Sequence, residues 1–338
     1  MDNEKSELSK FEHFVIDTNQ HYDESMQVNL YDDFNIDKDK INFLAIDKKY
    51  SNNISLIVGL LTPELIRINP DLVYVYGDTT STVAGALAAK INEYKSVHIE
   101  SGLRSNMTFQ IEEVNRKVVD NLSDYLFCPT PSSFENLCNE NKEEKSFIVG
   151  DITLDIFMKT KQKTKINTDF NYLDEEFYII TIHRQENIQN KSKLIKIIES
   201  LNTLPRAVIP LHHSFKKELQ EHNLLPKLSN NIDIVSPLVY SEMINLIDKS
   251  SGVITDSGGL QKDAFWLNKP LITIRPKTEW VETLQNKQNI LIDKFPTNLY
   301  EQILKFNLVE FNRFKDFGDG EAVINILSKT EEILIEKI

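Results

Sequence analysis

Short apolar runs rich in β-branched and aromatic residues alternate along this chain with segments whose apolar positions recur every three or four residues. The runs of the first half are HFVID, LVYVYGD, VHIES, YLFCPT and FIVGD, and helical stretches such as STVAGALAAKINEY and IEEVNRKVVDNL lie between them. A polar stretch, KTKQKTKINTDFNYLDEE (159–176), interrupts the alternation. It then restarts with FYIITIHR, AVIPLHH, IDIVSP, GVITDSGG and PLITIR. Strand and helix in alternation predict βαβ units and parallel sheets, here twice over. The expected fold class is α/β, two doubly wound Rossmann-like domains facing a cleft. The expected boundaries are 1–160 for the first domain and 172–320 for the second, with a C-terminal helix at 321–338. A chain of 338 residues suits two domains of roughly 150 each.

The formal net charge is −13, which argues against nucleic acid as a main partner. An anionic small ligand would need a local site of arginines and helix N-termini set against that global field. No apolar run approaches the roughly 20 residues of a membrane span. The opening MDNEKSELSK has no apolar core, and Cys128 and Cys138 fall in predicted buried or helical segments, so a reducing cytoplasm is expected. The adjacent histidines of LHH (211–213) have no metal-ligand partner motif, and GxGxxG, GxxxxGK[ST] and GxSxG are all absent. No metal and no cofactor are expected.

In doubly wound sheets ligands bind beyond the carboxyl ends of the strands, so the residues just after each apolar run carry the chemistry. Asp78 closes LVYVYGD, and it either caps the following helix with Thr79–Thr82 or does acid/base work. Glu100 and Arg104 follow the next run as a general base with a cation, or as a plain ion pair. His98, inside that run, reads as a packing residue. Glu112 and Arg116 share one helix face and Glu113 and Lys117 the next, and spacing does not say which pair turns inward. His183 and Arg184 end the first run of the second half, where anion binding and proton transfer belong. In GVITDSGGLQKDAFW, Ser257 can cap a helix whose first residues, Gly258 and Gly259, leave the backbone bare for an anion. Asp263, a turn further on, could accept from sugar hydroxyls. The bland alternative for that stretch is a tight strand-to-helix turn.

Together, TNQHYD (18–23), YGDTTSTVAGALAA (76–89), HIESGLRS (98–105), EEVNR (112–116), VGD (149–151), HRQEN (183–187), TDSGGLQKDA (255–264) and KPLITIRPKTEWVE (269–282) resemble the non-hydrolysing UDP-N-acetylglucosamine 2-epimerase family. The resemblance covers nearly the whole chain and implies a GT-B-like fold with a UDP-sugar in the interdomain cleft. It implies inversion at C2 of the sugar, by anti elimination of UDP to a 2-acetamidoglucal and re-addition with a proton on the opposite face. Carried over by motif, Asp78, Glu100 and Glu112 are the acid/base carboxylates. His183 belongs with the catalytic set and, with Arg116, contacts the diphosphate. Arg104 and Arg184 are further substrate-binding cations. Ser257, Gly258 and Gly259 bind phosphate, and Asp263 holds the ribose. A homodimer is also implied.

The pattern departs from the family at a few points. The family opens on a strand and a Gly-Thr/Ala-Arg-Pro-type turn, whereas MDNEKSELSK reads as the tail of the helix after it. Either the start lies downstream of that turn, or a central strand and a catalytic cation are lacking. Asp263 stands where Glu is usual, and Ile111 where Pro is usual, which removes a rigid turn from the 105–111 loop. TEWVE (278–282) resembles a branch that includes epimerases of UDP-diacetamido-uronic acids. The alternatives are therefore that uronate substrate, or a UDP-sugar-binding protein with little turnover. A retaining glycosyltransferase would give no reason for three carboxylates at Asp78, Glu100 and Glu112.

Overall fold

The computed structural model describes residues 10–19, 31, 36–47, 50, 52–163 and 176–335. Most of the opening MDNEKSELSK, the second part of TNQHYD and the middle of the 159–176 stretch lie outside the described residues. The chain divides into two compact units, Met1–Met158 with Phe314–Ile338, and Lys159–Arg313.

In the first unit β3 (Val73–Tyr76), β4 (Ser96–Ile99), β5 (Tyr125–Cys128) and β6 (Ser146–Ile148) form a parallel sheet in sequential order. A separate parallel pair joins β1 (Val15–Asp17) to β2 (Ile41–Phe43). The described strands of this unit thus make two ladders instead of one. The short pair is held to the rest by an apolar cluster that unites Leu44 with Ile57, Leu61 and Leu65 of α1 (Ile54–Ile68) and with Ala84 and Ala88 of α2 (Thr80–Ile91). A hydroxyl contact, Thr18 Oγ1 to Ser81 Oγ at 2.6 Å, adds a polar tie. Further along come α3 (Ile111–Leu122), α4 (Pro131–Asn139) and α5 (Ile152–Lys163).

The second unit is built on one six-stranded parallel sheet. Its strands are β7 (Tyr178–Thr181), β8 (Ala207–Pro210), β9 (Ile232–Val235), β10 (Gly252–Thr255), β11 (Leu271–Thr273) and β12 (Asn289–Leu291), and their spatial order is β12-β11-β10-β7-β8-β9. That is the doubly wound order, with the chain reversing direction across the sheet between β7 and β10. The central strands are apolar on both faces because helices cover both, so Ile179, Ile180, Val208, Ile209, Val253 and Ile254 are all buried. In order, the helices of this unit are α6 (Gln185–Ile188), α7 (Lys191–Leu201), α8 (His213–Glu221), α9 (Tyr240–Lys249), α10 (Gly258–Trp266) and α11 (Leu299–Ile303).

Helix α7 shows the sequence logic at its plainest. Asn190 caps it by accepting from the Lys193 N–H at 3.0 Å, and Leu194, Ile197, Ile198 and Leu201 recur at helical spacing on the buried face. Each such side chain contributes on the order of 2 kcal/mol of transfer free energy.

The C-terminal helix α12 (Ala322–Ile335) returns to the first unit. Both carboxylate oxygens of Asp155 accept from its first turn, from Ala322 N at 3.1 Å and Val323 N at 2.9 Å. Ile326 and Ile333 then join Val97, Ile99, Phe127 and Val149 in a single apolar cluster. Among the described residues no helix is long and apolar enough to cross a membrane. Both units are Rossmann-like, each with parallel strands and crossover helices.

Candidate active site

Two of the carboxylates expected at the sugar, Asp78 and Glu100, stand at one end of the first unit's sheet. Because Tyr76 pairs with Ile99 across β3 and β4, Gly77 and Asp78 emerge beside Glu100. Gly77 takes φ 68° and its N–H donates to the Ile99 carbonyl at 3.1 Å. Glu100 takes φ 70°, left-handed backbone that costs a non-glycine residue about 1 kcal/mol or more. Strain of that kind at a strand end holds a side chain where regular geometry would not put it. Asp78 is not the helix cap. Thr79 caps α2 instead, in a reciprocal arrangement with Thr82. The Asp78 carboxylate accepts from Arg116 Nη2 at 2.6 Å, and its backbone carbonyl accepts from Asn115 Nδ2 at 2.8 Å.

Which face of α3 turns inward is also settled. Glu113 is buried and accepts from the backbone N–H and the hydroxyl of Ser105 at 2.8 and 3.0 Å, so it anchors the 105–111 loop. Arg116 is buried beside it and reaches Asp78, while Glu112 is half-buried on the first turn. The helix therefore uses one carboxylate, Glu113, to hold the loop, and leaves the neighbouring Glu112 partly exposed.

Arg104 is placed inside a buried ionic network. Its Nη2 donates to Asp120 at 2.7 Å, its Nε and Nη2 to Glu140 at 2.7 and 2.9 Å, and its Nη1 to the Leu103 carbonyl. His98 is fully buried and spans the same carboxylate and the sheet, with Nδ1 2.6 Å from Asp120 and Nε2 2.8 Å from the Gly77 carbonyl. Burial pushes the Asp120 carboxyl upward, but His98 and Arg104 outweigh it and hold it below its ordinary value of 3.8. The network ties β3, β4 and α3 beneath Glu100. Arg104 is thus engaged by protein carboxylates, and His98 is a packing residue with a specific hydrogen-bonding task.

The second unit carries a different cluster, at the reversal point between β7 and β10, where doubly wound sheets hold their ligands. His183 and Arg184 follow β7, and Asp256 and Ser257 follow β10. Ser257 caps α10 by accepting from Leu260 N, and Gly259 in the same turn is exposed. The two glycines differ. A Cβ on Gly258 would stand 2.9 Å from Glu279 Oε1 and 3.5 Å from Trp280 Nε1, whereas nothing lies within 4 Å of one on Gly259. Gly258 is required by close packing, and Gly259 leaves bare backbone on the exposed side. Asp263 is buried, and its Oδ1 accepts from the Tyr240 hydroxyl at 2.8 Å.

Sequence reasoning did not single out Asp256, Tyr240, Lys262, Arg275, Glu279 or Trp280. Asp256 is buried and accepts from the N–H groups of His183 and Arg184 and from Asn187 Nδ2. Arg275 and Glu279 form a buried ion pair at 2.7 Å behind Gly258. The Lys262 ammonium lies 3.8 Å from the centroid of the Trp280 ring. For Asp256, Glu279 and Trp280 a signal was present in the motifs TDSGG and TEWVE that hold them, whereas Tyr240, Lys262 and Arg275 lie outside both. Among the described residues no group of three or more His, Cys, Asp or Glu is arranged to hold a metal ion.

A family model described as UDP-N-acetylglucosamine 2-epimerase matches residues 3–331. The chain belongs to the UDP-N-acetylglucosamine 2-epimerase family. A UDP-N-acetylglucosamine 2-epimerase of Methanococcus maripaludis is 35% identical over 339 residues, covering 95% of this chain and 92% of the relative. A UDP-2,3-diacetamido-2,3-dideoxy-D-glucuronate 2-epimerase of Pseudomonas aeruginosa is 35% identical over 285 residues, covering 82% and 79%. The crystal structure of the Methanocaldococcus jannaschii UDP-GlcNAc 2-epimerase in complex with UDP-GlcNAc and UDP superposes with a TM-score of 0.86 at 30% identity, covering 98% of this chain and 95% of that one. The epimerase family thus accounts for the fold of both units, and the fold is GT-B-like.

Proposed function

We propose that this protein interconverts UDP-N-acetylglucosamine and UDP-N-acetylmannosamine, supplying a sugar for surface polysaccharide or glycan assembly. The observation that carries the assignment is the gathering of Asp78 and Glu100 at adjacent strand ends, with Arg116 of α3 bonded to Asp78. In the elimination a carboxylate takes the C2 proton, the C1–O bond to UDP breaks, and C1=C2 forms. In the return step UDP oxygen rejoins C1 while a proton is delivered to the opposite face of C2. Asp78, Glu100 and Glu112 are the groups assigned to move protons. His183, Arg116 and Arg184 supply positive charge or N–H donors where the diphosphate departs, whereas Arg104 is engaged by Asp120 and Glu140. Ser257, Gly258 and Gly259 receive phosphate at the N-terminus of α10, and Asp263 the ribose.

Incubation with UDP-N-acetylglucosamine, followed by chromatographic separation of the nucleotide sugars, tests the assignment. Appearance of UDP-N-acetylmannosamine supports it; UDP-sugar binding without conversion would replace it with a binding protein. The Pseudomonas aeruginosa relative and the TEWVE form favour a second substrate, a UDP-diacetamido-uronate, and running both sugars in parallel separates the two. The same proposal makes the enzyme cytoplasmic, in keeping with its free Cys128 and Cys138. It also makes it a homodimer, supported by the exposed apolar stripe Ile111, Val114 and Val118 on α3.

A further inference from the structure

His183 stands at the open end of the second unit's sheet with its side chain 38% exposed, yet one edge of its ring is held from below. The Nδ1 atom lies 3.1 Å from Asp256 Oδ1. The same carboxylate accepts from the backbone N–H of His183 at 3.1 Å, from that of Arg184 at 3.0 Å and from Asn187 Nδ2 at 2.8 Å. The Asp256 carbonyl in turn accepts from Arg184 Nε at 2.8 Å. One buried aspartate therefore gathers β7, α6 and β10 at the reversal point, and its side chain is fully shielded from solvent.

The chemistry of the contact sets the proton. An ionised carboxylate only accepts, so the nitrogen facing it carries hydrogen. The other nitrogen lies across the ring from the aspartate, on a side chain that keeps 38% of its surface exposed. We propose that Asp256 is a positioning residue for His183, fixing Nδ1–H inward and turning Nε2 outward to the diphosphate. The inference rests on the function proposed above and adds to it a residue that touches no reacting atom.

The charged and titratable surroundings are consistent with that role. The groups set against the dyad are Arg184 on its own strand end and the His212 ring beyond β8, 5.4 Å from that of His183. The Arg275–Glu279 pair follows β11, the next strand. Burial drives the Asp256 carboxyl upward. The bonds from His183, Asn187 and Arg184 outweigh it and keep the group below its ordinary value of 3.8.

The test combines a spectroscopic readout with kinetics on the full chain. In ¹⁵N-histidine-labelled protein, with His183 assigned by comparison with His183→Asn, the wild type is expected to show hydrogen on Nδ1. Asp256→Asn is expected to lose that signature. The same variant should lower kcat for the epimerisation by about 10- to 100-fold, as removal of a carboxylate behind a functional histidine does. Its KM should stay within about threefold, and the pH profile of kcat should move. In the His183→Asn background the second substitution should add little, because the two residues act as a unit. A Nδ1 that carries no hydrogen in the wild type overturns the proposal whatever the activity. So does an Asp256→Asn effect that is fully additive with His183→Asn, or one accompanied by a fall in melting temperature large enough to explain it. Absence of conversion by the wild type would instead sink the proposed function, and the labelled spectra would still decide the dyad.

Discussion

Arg116 Nη2 and Asp78 Oδ2 meet at 2.6 Å although the two residues are 38 positions apart. The contact joins α3 to the end of β3, and the arginine is buried while the aspartate keeps 26% of its side chain exposed. A pair in that setting is a poised group: the guanidinium holds the carboxylate in place and one side of it meets solvent.

Removing either partner has separable consequences. Asp78→Asn should cut C2 exchange by about 10²- to 10⁴-fold, the range of a lost acid/base group, with UDP affinity nearly unchanged. Arg116→Ala should lower turnover and also weaken UDP binding. Arg116→Lys should restore little, because the planar fork is lost. Initial rates and calorimetric titration with UDP check each.

The glycines of TDSGG should behave unequally. Gly258→Ala forces a methyl to within 2.9 Å of Glu279 Oε1, and should destabilise the protein by about 1–3 kcal/mol. Gly259→Ala meets nothing within 4 Å and should leave stability within about 0.5 kcal/mol. If a diphosphate approaches that bare backbone, the second change should still weaken UDP binding about tenfold or more, near 1.4 kcal/mol. Melting curves and titrations distinguish the two; equal melting temperatures for both alanine variants would contradict the packing account.

Acid sensitivity follows from Asp120. Its folded pKa lies below the ordinary 3.8, so the unfolded chain binds the proton first as pH falls. The stabilisation is therefore present in full well above 3.8 and is lost as pH drops through the folded value. Wild-type urea midpoints should fall steeply below about pH 4, and Asp120→Asn should be less stable at pH 7 with a flatter acid limb. An unchanged acid limb would remove Asp120 from the network's role.

Breaking the same network from its cationic side should be costly. Arg104→Ala leaves Asp120 and Glu140 without their shared partner and should destabilise by about 3–5 kcal/mol. Its effect on turnover should follow its effect on folding, as read by denaturant titration beside initial rates. A fully folded Arg104→Ala protein with lost UDP binding would show the arginine acting on the ligand.

The fold was legible because buried parallel strands leave unmixed apolar runs, as in IITI and VIPL, and because helices between them keep their period. β12, Asn289–Leu291, was not anticipated, since three residues opening on asparagine give no run to see. The two-ladder arrangement of the first unit depends on which strands pair, and that is not written in any one segment. The strand-end rule selected Asp78, Glu100, His183 and Ser257, and each stands just after a strand in the structure. It could not find that Arg104 is bound by Glu140, 36 positions away, or that Glu113 rather than Glu112 is the buried loop anchor. Asp256 was hidden for a similar reason: its partners come from β7 and α6, about 70 positions earlier.

Proton NMR of UDP-N-acetylglucosamine incubated with the protein in D₂O tests the central claim most directly. Deuterium should enter C2 as UDP-N-acetylmannosamine appears, and both should be lost together in Asp78→Asn. Full retention of the C2 proton while UDP-sugar is bound would contradict the account.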